Sequence, residues 1–215
     1  KGYSASDAGL KLIPLMLGIV TTSIFSGKMI SKHGHYKRFP IVGTFLMTIG
    51  ILAMTRLEID TPYWQISIYA VIVGMGLGLS MQTIVIALQN SVELSDMGVA
   101  TSSNTFFRSL GSVFGTAFFG AILTNRLAHY LAASGLKGGG ETSITNNTAL
   151  IKKLPPEVQS TILESFVKSF HFVFYTAAPV TALGFALALM LKEVPLRTHG
   201  DYSKAREEAA GETLG

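Results

Sequence analysis

Residues 25–43 read FSGKMISKHGHYKRFPIVG: one apolar run enters, another leaves, and Lys28, Lys32, Lys37 and Arg38 crowd the link broken by Gly34. Two membrane-length apolar segments joined by a short basic link set a topology, because short loops rich in Lys and Arg stay on the cytoplasmic side. The link is therefore expected to face the cytoplasm, and every other loop is assigned relative to it.

Working outward, five uncharged or nearly uncharged runs are expected to span a bilayer, at about residues 10–27, 39–55, 63–92, 98–125 and 170–191. Runs of about 18 or more apolar residues are long enough to cross. In the first, Lys11 can snorkel to the interface and Pro14 suits a helix start. Tyr63 and Trp64 open the third where an interfacial aromatic belt belongs. Residues 126–169 read as a long external loop, with a Gly/Ser/Thr-rich linker (GLKGGGETSITNNT) in its first half. In its second half Pro155-Pro156-Glu157 reads as the start of a surface helix carrying Ile162, Leu163, Phe166 and Phe170 on one face. Residues 192–215 read as a charged cytoplasmic tail, expected to be disordered. Five spans put the two ends of the chain on opposite sides, so the basic link and the basic tail agree.

Composition supports this reading and excludes others. Hydrophobic residues make up 48% of the 215 and charged residues 14%, and the charges cluster between long apolar runs. The mean hydropathy is +0.43. The net charge of +4 does not indicate nucleic acid, because the basic residues flank apolar runs instead of forming a stripe interleaved with aromatics. With no cysteine there is no disulfide framework and no thiolate metal site. The chain opens at Lys1 without an initiator Met, so it is expected to be a piece of something longer. The fold class is thus an all-α membrane protein of five transmembrane helices.

Few residues within the spans carry chemistry. Arg108 is a charge inside an apolar run, and such a charge faces a cavity or a partner instead of lipid. Asn104 lies one turn earlier on the same face. A clamp holding a neighbouring helix and the lining of a substrate path are equally good readings of this pair. Gln82 and Gln89 are seven apart on the third span and Met75 continues their stripe. Amides beside a thioether make a polar yet adaptable surface, although amides also serve as interhelical glue. Gly74 with Gly78, and Gly111 with Gly115, have the four-residue spacing that lets helix backbones approach closely. His33 and His35 have no carboxylate at ligand spacing, so no metal is expected. No Asp or Glu falls within a span, and no hydrolase triad, phosphate loop or HExxH pattern occurs. Neither an enzyme nor a cofactor is expected.

Four segments in matching order carry a resemblance: GYSASDAGLKLIPL (2–15), ALQNSVELSDMGVATSSNTFFRSLGSVFGTAFFGAIL (87–123), SFHFVFYTAAPV (169–180) and LKEVPLR (191–197). Together with the basic link they resemble the C-terminal third of drug:proton antiporters of the fourteen-span branch of the major facilitator superfamily. In the link, Gly27, Met29, Lys32, Gly34 and Lys37 occupy the superfamily's glycine-bounded basic loop motif. Ser31 stands where that motif has an acid, and His35 where it has an arginine.

The resemblance implies that the five spans are the last five of fourteen, a C-terminal bundle over residues 1–191 working against an N-terminal bundle of the same transporter. It implies that the first, third and fourth spans face a central cavity. Gln82, Gln89, Asn104, Arg108 and Met75 then become candidates for a substrate path, and Gly27, Lys28, Lys32, Gly34, Lys37 and Arg38 a gating loop. The implied partners are a small amphipathic substrate, protons and the lipid bilayer of a bacterial inner membrane, with the proton-carrying acids in the N-terminal part. The rival expectation is a self-contained five-span assembly or regulatory subunit without transport activity.

Overall fold

The structure, a computed structural model, describes residues 5–93, 95–134 and 155–194. The linker residues 135–148 and the tail beyond Val194 lie outside the described residues. Every regular element is helical: α1 (Ala5–Leu10), α2 (Ile13–His33), α3 (Arg38–Met54), α4 (Tyr63–Ser91), α5 (Met97–Ala133) and α6 (Pro156–Met190). The all-α membrane fold class holds. Four helices, α2, α4, α5 and α6, are long and apolar enough to cross a membrane. The apolar α3 has 17 residues, which is about 26 Å at 1.5 Å per residue and close to the shortest crossing length.

Local chemistry explains the ends. Pro14 has no N–H to offer the Leu10 carbonyl and its ring crowds that turn. The ladder therefore breaks at Lys11–Leu12, and the long helix starts at Ile13 instead of residue 10. At its other end α2 runs six residues past the expected boundary. Gly34 closes it in the left-handed region, at φ 74°, with its N–H donating to the Ile30 carbonyl at 2.8 Å. A side chain resists that conformation. Lys28 and Lys32 therefore sit on the last turns of α2, where cations suit the helix dipole. Arg38 opens α3, and the connection itself is only residues 34–37.

The stretch 126–169 is not a loop throughout. α5 continues to Ala133, and α6 begins at Pro156 and runs unbroken into the last apolar segment. Leu127 and Leu131 on α5 bury against Ile162 on α6, with Val158 and Phe166 packed around them. This small core lies beyond the apolar part of both helices, and it holds the extensions helical.

α4 is the central helix, lying between α2 and α3. Three glycines make this possible. Gly74 and Gly78 turn one side to α2, and a Cβ on either would collide with the Leu15 or Ile19 carbonyl oxygen. Gly76, two residues from each, turns the opposite side to α3, where a Cβ on Gly43 would stand 2.7 Å from the Gly76 carbonyl oxygen. At such approach hydroxyls bridge the helices. Thr22 shares its proton between the carbonyls of Gly18 at 2.7 Å and Met75 at 3.1 Å, and Ser23 donates to the Gly78 carbonyl at 3.2 Å. α6 packs on the far side of α3, with Phe45 and Phe185 at 5.6 Å between ring centroids. α5 packs along α6 and meets α4 only sparsely.

Candidate functional site

The end of the bundle at Gly34 is built around an aromatic in the basic link. Tyr36 is 2% exposed and packs with Ile30 of α2 and Ala87 of α4, against which Leu191 also lies. Its hydroxyl donates to the Lys192 carbonyl at 3.3 Å and accepts the Val194 N–H at 3.0 Å. Asn90 of α4 donates its amide to the Val194 carbonyl at 3.2 Å. Residues 191–194 are therefore no free tail. They form a strap fastened across the link and the end of α4, because a buried phenol and a buried amide both need partners. The sequence signal was present and went unread: one aromatic in a link otherwise made of charged residues, histidines and glycine.

A prediction follows from the fastening. Tyr36→Phe keeps the ring and removes both hydrogen bonds, worth about 1 kcal/mol. Amide exchange at Val194 is expected to quicken roughly five-fold, while exchange in the α2–α4 seam is unchanged. Unaltered exchange at Val194 would show that the phenol does not hold the strap.

The gating-loop candidates surround this knot. Lys28, Lys32 and Arg38 are exposed and Lys37 is half-buried. His33 and His35 contact backbone carbonyls of their own link, those of Met29 and His33. No grouping of side chains able to hold a metal occurs among the described residues.

The substrate-path candidates divide between two helices. On α4, the half-buried Met75 belongs to the α2 seam, where its carbonyl accepts the Thr22 proton. Gln82 is exposed and lies alongside α2, its Cγ 4.0 Å from the place a Cβ on Gly27 would take. A Cβ there would make only ordinary van der Waals contact, so the link motif and the amide stripe lie side by side at this point without the glycine being needed for space. Gln89 is half-buried two turns further on, beside strap-holding Asn90.

On α5, Asn104 is half-buried and Arg108 is exposed. Neither has a hydrogen bond or ion pair among the described residues. The sparse α4–α5 contact does not bring the two pairs together. Gly111 and Gly115 meet no atom within 4 Å, so in this chain close helix approach occurs at Gly74 and Gly78 and not at the second pair. The reason is that the face of α5 around them is bare: Phe107 and Phe114 are each 67% exposed.

A glycine-seamed bundle of long apolar helices with polar positions among them is the build of a multi-pass membrane protein. The chain belongs to the Major Facilitator Superfamily, whose family model matches residues 1–213. An MFS-type transporter of Mycobacterium tuberculosis is 39% identical over 195 residues, covering 91% of this chain and 28% of that protein. Multidrug transporter protein MdtP of Bacillus subtilis is 32% identical, covering 99% of this chain and 44% of its own length. A tetracycline resistance determinant of Streptomyces rimosus is 27% identical over 98% of this chain. The chain thus spans less than half the length of the first two relatives. Members of this superfamily are transporters and not enzymes.

Proposed function

We propose that this chain is the C-terminal part of a secondary active efflux carrier that exports small amphipathic molecules in exchange for protons. The observation that carries the reading is the near-complete match of this chain to a relative named as a multidrug transporter. The amides on α4, set in a seam that the glycines keep narrow, are in keeping with it. In this reading the bundle rocks against an N-terminal bundle of the same polypeptide by alternating access. Gln82, Gln89, Asn104, Arg108 and Met75 face the path, the amides and thioether tolerating varied ligands. The acids that carry protons belong to the other bundle, since no Asp or Glu lies in the apolar part of these helices. In this reading the Gly34 link and the strap face the cytoplasm of a bacterial cell, an orientation that the cluster of Lys and Arg there supports.

Everted membrane vesicles holding the full-length transporter test this. A cationic dye such as ethidium is expected to accumulate when a proton gradient is imposed, and to leak back on adding a protonophore. Vesicles holding only residues 1–215 are expected to show no flux. Gradient-driven flux from the 215 residues alone, or none from the full-length protein across a panel of amphipathic dyes, would overturn the proposal.

A further inference from the structure

At the end of α5 and α6 farthest from Gly34, several side chains with no part in the transport path gather about Phe172. A cleft of about 360 Å³ lies among Asn125, Arg126, His129 and Phe172. A second, of about 400 Å³, shares Phe172 with it and lies among Tyr130, Lys168, His171 and Tyr175. Among the described residues no aspartate or glutamate lines either one. The Arg126 guanidinium carbon stands 3.7 Å from the centre of the Phe172 ring. Stacked in this way, the guanidinium keeps its in-plane N–H donors free for an anion. Among the described residues Lys168 is held only by Glu164, four residues back, at 3.5 Å with both side chains more than half exposed, an arrangement that holds weakly. His171 is fixed to the Leu57 carbonyl, which anchors α6 here against the α3–α4 connection.

The depth of the crevice points to its occupant. Counting back from Leu191, Phe172, on which Arg126 stacks, is 19 residues away, about 28 Å along an α-helix. Lys168 is 23 residues away, about 35 Å. The hydrocarbon core of a bilayer is about 30 Å thick, and the bilayer measures about 40–45 Å with its headgroup layers. Both cations therefore fall in the headgroup layer opposite the Gly34 link. Toward the bilayer interior the flanking side chains are apolar or aromatic and bare: Phe118 is 57% exposed and Tyr175 71%. A phosphate at Arg126 and Lys168 would have a surface beside it on which an acyl chain could lie.

We propose that the Arg126–Phe172–Lys168 crevice binds a phosphate-bearing anion, supplied by the headgroup of an anionic phospholipid in that leaflet. The inference takes from the carrier reading only that α5 and α6 cross the membrane, and it is indifferent to what is transported.

Native mass spectrometry of the full-length protein in detergent tests the site. Phosphatidylglycerol, phosphatidylcholine and glycerol phosphate are titrated separately against the wild type, the double variant R126Q/K168Q and the charge-keeping double variant R126K/K168R. Phosphatidylglycerol adducts are expected on the wild type and the charge-keeping variant, with roughly thirty-fold weaker binding to R126Q/K168Q, since two basic side chains act together. Phosphatidylcholine should bind weakly and without regard to the variants. Equal phosphatidylglycerol binding to all three proteins would overturn the site. Glycerol phosphate binding as tightly as the lipid would overturn the lipid as its source. Because these adducts are read without any flux, a failure of dye transport leaves the outcome intact, and the reverse also holds.

Discussion

Gly74→Ala and Gly78→Ala are each expected to cost the bundle about 2–3 kcal/mol, toward the upper end for overpacking a rigid interior. The same change at Gly111 or Gly115 is expected to cost nothing, although all four glycines have the same sequence spacing. The difference is what a methyl group would meet. At Gly74 and Gly78 it meets the carbonyls of Leu15 and Ile19, and at Gly78 also the Thr22 hydroxyl. The two carbonyls are backbone atoms of a neighbouring helix, which cannot swing aside as the tip of a flexible side chain can. The helices must separate, and separation also breaks the bonds from Thr22 to Met75 and from Ser23 to Gly78. At Gly111 and Gly115 a methyl group meets no atom within 4 Å, and alanine is the better helix former by nearly 1 kcal/mol. Unfolding of the 215-residue chain in bicelles by steric trapping would measure the contrast. Equal losses at all four positions would show that α5 packs against these helices more closely than the structure has it.

Spacing alone did not separate these glycine pairs, because spacing says which residues share a helix face and not what that face meets. The same reason explains other differences between sequence and structure. Hydropathy reports where lipid ends, whereas a helix ends where its hydrogen-bond ladder does. The hydrophilic turns at 126–133 and 156–169 stay helical because Leu127, Leu131 and Ile162 give them a core of their own. α3 and α4 start at Arg38 and Tyr63, just after Gly34 and Pro62, which are backbone signals that act locally. Pro14 is also such a signal, and its effect was to delay α2 to Ile13. Tyr36 could not be found by hydropathy, because its burial depends on residues 191–194 arriving from more than 150 positions away. Gly76 and Gly43 form a second seam that a search for four-residue spacing passes over.

Arg108→Ala in the full-length protein is expected to reduce export at least tenfold without reducing the amount of protein in the membrane. A charged residue at the centre of a membrane helix makes insertion less favourable by about 2.5–3.5 kcal/mol, so its removal should ease insertion of α5. A guanidinium kept at that expense needs a compensating contact, and among the described residues Arg108 has neither a hydrogen bond nor an ion pair. Its contact is expected to lie beyond the described helices, in the substrate, in water lining a path, or in another bundle. Arg108→Lys separates these cases, because an ammonium keeps the charge but loses the planar fork of donors. If Arg108 serves the path, the lysine variant retains normal protein levels and thermal stability while dye export falls. Stability falling in step with export, in both variants, would instead mark Arg108 as a clamp between helices. Asn104→Ala, one turn away on the same face, is expected to follow the same pattern to a smaller extent, since an amide carries no charge to be met.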